Sequence, residues 1–150
     1  MKFDIEDPTT PEIVALLDEG ERYGASLYPA ESNHFSPMDM LRAENVRFVV
    51  ARDAQGVAVG TGALVLYDGW AELKRMWVVP GARGKGLSKA ILADLETRAR
   101  SAGIFLLRLE TGINNIEALS LYEWAGFSRC EPFADYLSDP LSVFMEKKVI

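Results

Sequence analysis

Apolar positions along this chain follow two rhythms. From Val46 to Val79 they alternate or run together over short stretches broken by turn residues, which predicts strands. Val46–Ala51 reads as one strand and Asp53-Ala54-Gln55-Gly56 as a turn. Val57–Tyr67 and Trp70–Val79 read as the next two strands, with Asp68-Gly69 as the hairpin signal between them. Gly60 and Gly62 are candidate bulge points. Counting in twos along the third strand puts Glu72 on the same side as Lys74 and Met76. Elsewhere the spacing is helical. Thr10-Pro11-Glu12 sets a hydroxyl cap before a proline at the first helical position. Ile13, Val14, Leu16 and Leu17 supply that helix's apolar face, and Gly20 or Gly24 is its expected end. Ser36-Pro37-Met38-Asp39 repeats the cap-then-proline pattern and opens a short second helix. Leu87–Arg100 is amphipathic. Asn115–Trp124 is a further helix, ended by Gly126 in the C′ role.

The remaining segments complete the order. Lys2–Ile5 is a short strand. Tyr28–Phe35 is polar, contains proline and reads as a loop. Phe105–Glu110 is apolar enough to be a parallel strand buried on both faces. Phe127–Cys130 and Ser142–Lys148 form a final antiparallel pair joined by a longer loop. The expected fold is α+β: a meander, a βαβ crossover and a C-terminal strand pair. No repeat, linker or low-complexity segment interrupts it, and 150 residues fit a single domain, 1–150.

Composition narrows the function. A hydrophobic content of 49% argues against disorder. A net charge of −6 argues against a general nucleic-acid binder. The apolar runs are too short to span a bilayer. Met1-Lys2 leads into Phe3-Asp4-Ile5 without a signal-peptide pattern, so the expected location is the cytoplasm. Cys130, the single cysteine, leaves no internal disulfide and fits a reducing compartment. No histidine or cysteine spacing suggests a metal site. The basic residues are partly gathered between Lys74 and Lys89. A cationic pocket on an acidic protein suits a small anionic ligand.

Within that stretch lies Arg83-Gly84-Lys85-Gly86-Leu87-Ser88, between a predicted strand and a predicted helix. A glycine-rich loop in that place turns backbone N–H groups toward an anion, and the helix dipole adds positive potential there. A phosphate or pyrophosphate is the natural ligand. The loop is not a P-loop, because Gly86 is followed by Leu87-Ser88 rather than lysine. It is not a dinucleotide fingerprint either, because Lys89 stands where the third glycine belongs. An ordinary strand–helix turn is the competing reading.

The second half of the chain bears on that choice. Asn115 to Phe127 matches N-x-x-A-x-x-L-Y-x-x-x-G-F, and R-x-x-G-x-[GA] stands about thirty residues earlier. In this order, and over Arg47 to Phe127, the chain resembles the GNAT N-acetyltransferase superfamily. One position departs: the family's hexad usually ends in Gly or Ala, and here it ends in Ser88. The resemblance implies a mixed, mostly antiparallel sheet of about six or seven strands, helices on both faces and splayed parallel strands in the middle. It implies an acetyl-CoA-dependent N-acetyltransferase working by direct attack in a ternary complex. The pyrophosphate is expected on the amides of Arg83, Gly84, Lys85, Gly86, Leu87 and Ser88. The pantetheine arm is expected along Met76, Trp77 and Val78, with an N–H near Val78 facing the developing oxyanion. Asn115 matches a position that contacts the arm, and Tyr122 matches the general acid that protonates the departing thiolate. Tyr122 can equally be core. Glu72 and Glu110 both stand where family members place a base. Glu110 is preferred here, because a carboxylate ending a buried strand is placed for an upward pKa shift. A water wire without a dedicated base is the alternative. Glu72 can otherwise pair with Lys74 or Arg75, and Glu110 can bond the Thr111-Gly112 turn.

The acceptor side is expected from the first helical region, the meander and the C-terminal loop. Tyr28, Glu31, His34, Phe35, Arg75, Phe133, Tyr136 and Asp139 are its candidates. Arg75 can hold a substrate carboxylate bidentately, or pair with Glu72 or Glu110. A small amine or amino acid is the favoured acceptor. A protein N-terminus or lysine, and a CoA-sensing module without catalysis, are the alternatives. No metal, nucleic acid or membrane partner is expected, and the Ser142–Lys148 edge offers a route to a homodimer.

Overall fold

Strand-forming stretches separated by tight polar turns pair with their neighbours in sequence, because a hairpin brings the next strand alongside. In the computed structural model, which describes residues 1–27 and 38–150, this produces the antiparallel run β1 (Lys2–Ile5), β2 (Val46–Arg52), β3 (Ala58–Leu66) and β4 (Ala71–Val78). A short 3₁₀ turn at Pro80–Ala82 then leads to α2 (Leu87–Ser101), which crosses back to β5 (Leu106–Gly112). β5 lies parallel to β4, as a crossover connection requires. α3 (Ile116–Trp124), β6 (Ser128–Arg129) and β7 (Ser142–Lys148) complete the chain. The seven-stranded sheet has the order β1-β2-β3-β4-β5-β7-β6. No helix among the described residues is long and apolar enough to cross a membrane.

Each face of the sheet carries its own apolar cluster. On one face, Ile91, Leu92 and Leu95 of α2 and Leu119 and Tyr122 of α3 pack on Leu64, Leu73, Leu107 and Leu109. On the other, Ile13, Leu16 and Leu17 of α1 (Pro11–Leu27) cover Phe48, Val50, Ala63 and Val65. α1 does not stop at Gly20 or Gly24 but continues to Leu27. Gly20 lies against the Trp77 ring, where an added Cβ would stand 3.4 Å from it. The glycine lets helix and indole approach, and packing outweighs the weak helix propensity of glycine. The predicted second helix is a 3₁₀ turn at Met38–Arg42. Its Ser36-Pro37 start lies outside the described residues.

The feature that shapes the site is a β-bulge in β4. Thr61 pairs with Trp77 and Ala63 with Lys74, so Arg75 and Met76 together oppose Gly62. Arg75 takes a left-handed φ of 56°, uncommon for a residue with a side chain. The extra residue resets the alternation of the strand. Glu72 and Lys74 therefore point to the α1 face, whereas Met76 packs with the cluster beneath α2. This corrects the expectation that Met76 shares a side with Glu72 and Lys74. The bulge falls at one of the two glycines singled out from sequence. A Cβ on Gly62 would lie 2.8 Å from Leu95, 2.9 Å from Ile91 and 2.9 Å from the Met76 sulfur. Gly62→Ala should accordingly overpack this junction and cost about 1–3 kcal/mol. A urea midpoint lowered without a change in slope would show it, and an unchanged midpoint would count against so tight a fit.

Candidate functional site: a cleft between two parting strands

The ladder between β4 and β5 runs only from Ala71 and Leu107 to Leu73 and Leu109. Beyond Leu73 the two strands part. A cleft of about 740 Å³ fills the gap, bounded by α1, β4, the loop before α2, β5, α3 and the start of β7. Val79 donates its N–H to the Val59 carbonyl across the β3–β4 pair. N–H and C=O of alternate residues point the same way in such a pair. Trp77 therefore faces β3, and Met76 and Val78 turn their amides toward the gap. The Val78 carbonyl is held by Arg83 Nε at 3.1 Å. The Arg83 guanidinium also lies 4.8 Å from the Trp77 ring and 5.9 Å from the Tyr23 ring. The side chain of Arg83 thus braces the end of β4, a role the sequence did not suggest.

Gly86 caps α2 with a left-handed φ of 77°, and no side chain caps this helix end. The first amides of any α-helix lack intrahelical acceptors. Here the loop that carries them, with Arg83, Gly84, Gly86, Leu87 and Ser88, lines the cleft. A Cβ added at Gly84 or Gly86 would meet nothing within 4 Å, so the loop borders open space. Lys85 belongs to the same loop and is exposed. Across the mouth, Lys89 Nζ sits 4.1 Å from the Trp124 ring. Asn115 caps α3, its side chain accepting the Ala118 N–H at 3.2 Å, and it also borders the cleft.

Tyr122 reaches the cleft from α3 and is 5% exposed. Its ring meets Phe127 edge to face at 5.6 Å. Burial pushes its phenol well above the ordinary value, so the hydroxyl keeps its proton. Tyr122 is both core and cleft wall, so the two readings of this residue do not exclude each other.

At the acceptor end, Glu72 is 2% exposed. Tyr136 donates its hydroxyl to Glu72 Oε2 at 2.7 Å. Lys74 Nζ donates to that same Tyr136 oxygen at 2.7 Å and lies 3.5 Å from Glu72 Oε2. Burial raises the pKa of Glu72, while the Lys74 charge and the Tyr136 hydrogen bond pull it down. Burial and the bond to Glu72 hold the Tyr136 phenol far above its usual range. The buried carboxyl of the pair is thus Glu72. Glu110 is half-buried near the end of β5 and accepts the Ser142 hydroxyl at 2.7 Å. The burial expected of Glu110 is found instead at Glu72. Arg75 pairs with Glu21 of α1, at 3.1 Å.

Phe133 stands behind Tyr136, with ring centres 5.4 Å apart, and Asp139 Oδ1 accepts the Leu141 amide. Both belong to the C-terminal loop rather than to the cleft wall. Tyr28, Glu31, His34 and Phe35 lie outside the described residues. Lys74, Glu21, Thr61 and Ser142 were not singled out as site residues. Only Lys74 left a signal, by sharing a strand face with Glu72. If Glu72 must be ionised for activity, Tyr136→Phe removes a bond that favours the carboxylate. The acid limb of the pH–rate profile should then move to higher pH. An unmoved limb would separate Tyr136 from the titrating group.

Parted central strands, an uncapped amide loop and a tyrosine beside the gap are the arrangement that the GNAT resemblance implies. Residues 10–127 match the model of the acetyltransferase (GNAT) family. An IAA acetyltransferase of Azospirillum brasilense is 43% identical over 144 residues, covering 95% of this chain and 94% of that protein. A crystal structure from Klebsiella pneumoniae, of a protein named an acyl-CoA N-acyltransferase, superposes with a TM-score of 0.85 at 37% identity, covering 99% of this chain and 97% of that one. The PaiA N-acetyltransferase of Thermoplasma acidophilum, solved with coenzyme A, shares the fold at 20% identity with a TM-score of 0.74, covering 99% of each chain. The chain belongs to the GNAT family of acetyltransferases. It is an N-acyltransferase that draws on an acyl-CoA.

Proposed function

We propose that this protein moves an acetyl group from acetyl-coenzyme A to the primary amine of a small molecule carrying both an amine and a carboxylate. One observation carries this reading. A single cleft joins the amide loop of α2, the phenol of Tyr122 and the buried carboxyl of Glu72. The residues fit the donor. The unpaired amides at Gly84 to Lys89, the helix dipole and Lys85 suit a diphosphate. The β5-facing edge of Met76–Val78 offers the amide-bearing arm a strand to pair with. The Thermoplasma protein of the same fold holds coenzyme A.

The chemistry then follows from this chain's groups. An aliphatic amine, with a pKa of about 10.4, must lose a proton before it attacks. Glu72, directly or through water, takes that proton. The Val78 amide faces the carbonyl oxygen as charge builds there. The free amine forms the carbon–nitrogen bond; as the carbon–sulfur bond breaks, the Tyr122 hydroxyl passes its proton to the sulfur, and the proton shed by the new amide nitrogen returns through solvent to the phenolate.

The charges at the acceptor end favour a zwitterion. Arg75 and Lys74 stand there with Glu21 and Glu72. Arg75, buried at this end and paired with the partly exposed Glu21, offers a substrate carboxylate a guanidinium within the cleft. The direct test offers acetyl-CoA with a panel of amino acids, polyamines and basic peptides and reads thiol release. Turnover is expected with amino-acid-like acceptors. Release with basic peptides alone would point to a protein acetyltransferase. Tight CoA binding without release for any acceptor would point to a sensing module.

A further inference from the structure

Thr61 and Glu72 are the buried polar residues among those described, and Thr61 is completely buried. Its neighbours on β3 are Gly60 and Gly62. A Cβ on either would stand 2.8 Å from an α2 side chain, Ile91 for the first and Leu95 for the second. This part of β3 is therefore pressed against α2, and Thr61 alone carries a side chain toward the other face. Valine would fill the same volume and favours strands as strongly. What valine lacks is the hydroxyl. That hydroxyl makes one bond, donating to the Arg75 carbonyl at 2.7 Å. Arg75 is the bulge residue with the left-handed φ, a conformation that persists only where surrounding structure enforces it.

We propose that Thr61 is a positioning residue for acyl transfer: its hydroxyl clamps the Arg75 carbonyl and so holds the bulge that turns the Met76 and Val78 amides into the cleft. Without the bulge, the alternation begun at Glu72 and Lys74 would continue unbroken through Met76. The amides and the base would then lose their present relation across the gap. Thr61 acts through β4 and needs no contact with either substrate. The proposal rests on the acyl-transfer reading above for its kinetic part only.

The test compares Thr61→Val, Thr61→Ser and Thr61→Ala, the last as a smaller hydroxyl-free variant should valine disturb folding. Each is checked for cooperative melting. Two readouts follow: thiol-release kinetics with the best acceptor, and the backbone amide NMR signals of residues 75–78 in the ligand-free protein. The hydroxyl-free variants should lose roughly 10–100-fold in kcat, the size of effect a small misplacement produces. Their acceptor KM should stay close to wild type, and their amide signals at Met76 and Val78 should shift. Thr61→Ser should restore both readouts. Folded hydroxyl-free variants with wild-type kcat, or with unmoved amide signals, would overturn the proposal. Absence of thiol release from the wild type is instead the failure of the acyl-transfer reading. The amide signals still decide in that case whether the hydroxyl holds the bulge.

Discussion

Replacing Tyr122 by phenylalanine should lower kcat by a factor on the order of 10² to 10⁴, the usual contribution of a placed general acid. The affinity for coenzyme A should barely change. The substitution removes one oxygen from a residue whose ring packs against Phe127, and phenylalanine keeps that packing. Stability should therefore hold. Residual activity reflects water protonating the thiolate in place of the phenol, so thioesters with more acidic thiols should lose less. The competing possibility is that Tyr122 only fills the core, where it is 5% exposed. Under that account the variant keeps its kcat. Thiol-release kinetics at saturating acceptor, beside a calorimetric titration of coenzyme A, separate the two.

Glu72→Gln is expected to have an effect of similar size, arising at the other end of the cleft. Glutamine has nearly the same shape and can still accept the Tyr136 hydroxyl. It cannot take a proton from the amine. The loss should be largest near neutral pH, where the acceptor is mostly charged, and should shrink as rising pH supplies free amine. The wild-type profile should show an acid limb above the ordinary carboxylate range, because burial raises Glu72. Glu110→Gln should keep that limb and move it slightly to lower pH, because the nearby Glu110 charge is one of the causes that raise Glu72. If Glu110→Gln erases the limb and Glu72→Gln does not, the two carboxylates exchange roles.

Much of this arrangement was legible in the sequence. The meander, the crossover and the two motifs rest on local signals: Asp-Gly turns, an apolar parallel strand, a glycine loop between strand and helix. Those signals act within a few residues, and the sheet bears out their order; the parallel strand, expected to be buried on both faces, is instead buried at alternate residues, with Phe105 exposed just before it. What stayed hidden depends on distant partners. The bulge at Arg75 is set across the sheet by Thr61 and Gly62, and counting in twos along β4 passes straight over it. The run of α1 through Gly20 depends on Trp77, which is far away in sequence. The tie between Glu72 and Tyr136 spans 64 residues, with no periodicity to announce it. Strand position alone suggested burial at Glu110, whereas the structure buries Glu72 and leaves Glu110 half-buried.

The proposed chemistry depends on where the donor lies. A crystal structure with coenzyme A tests this most directly. The diphosphate should rest on the amides between Gly84 and Lys89, the arm should run along Met76–Val78 in the gap beside β5, and the sulfur should come within hydrogen-bonding distance of the Tyr122 hydroxyl. Coenzyme A bound elsewhere, or a sulfur directed away from Tyr122 with the gap filled by side chains, would contradict it.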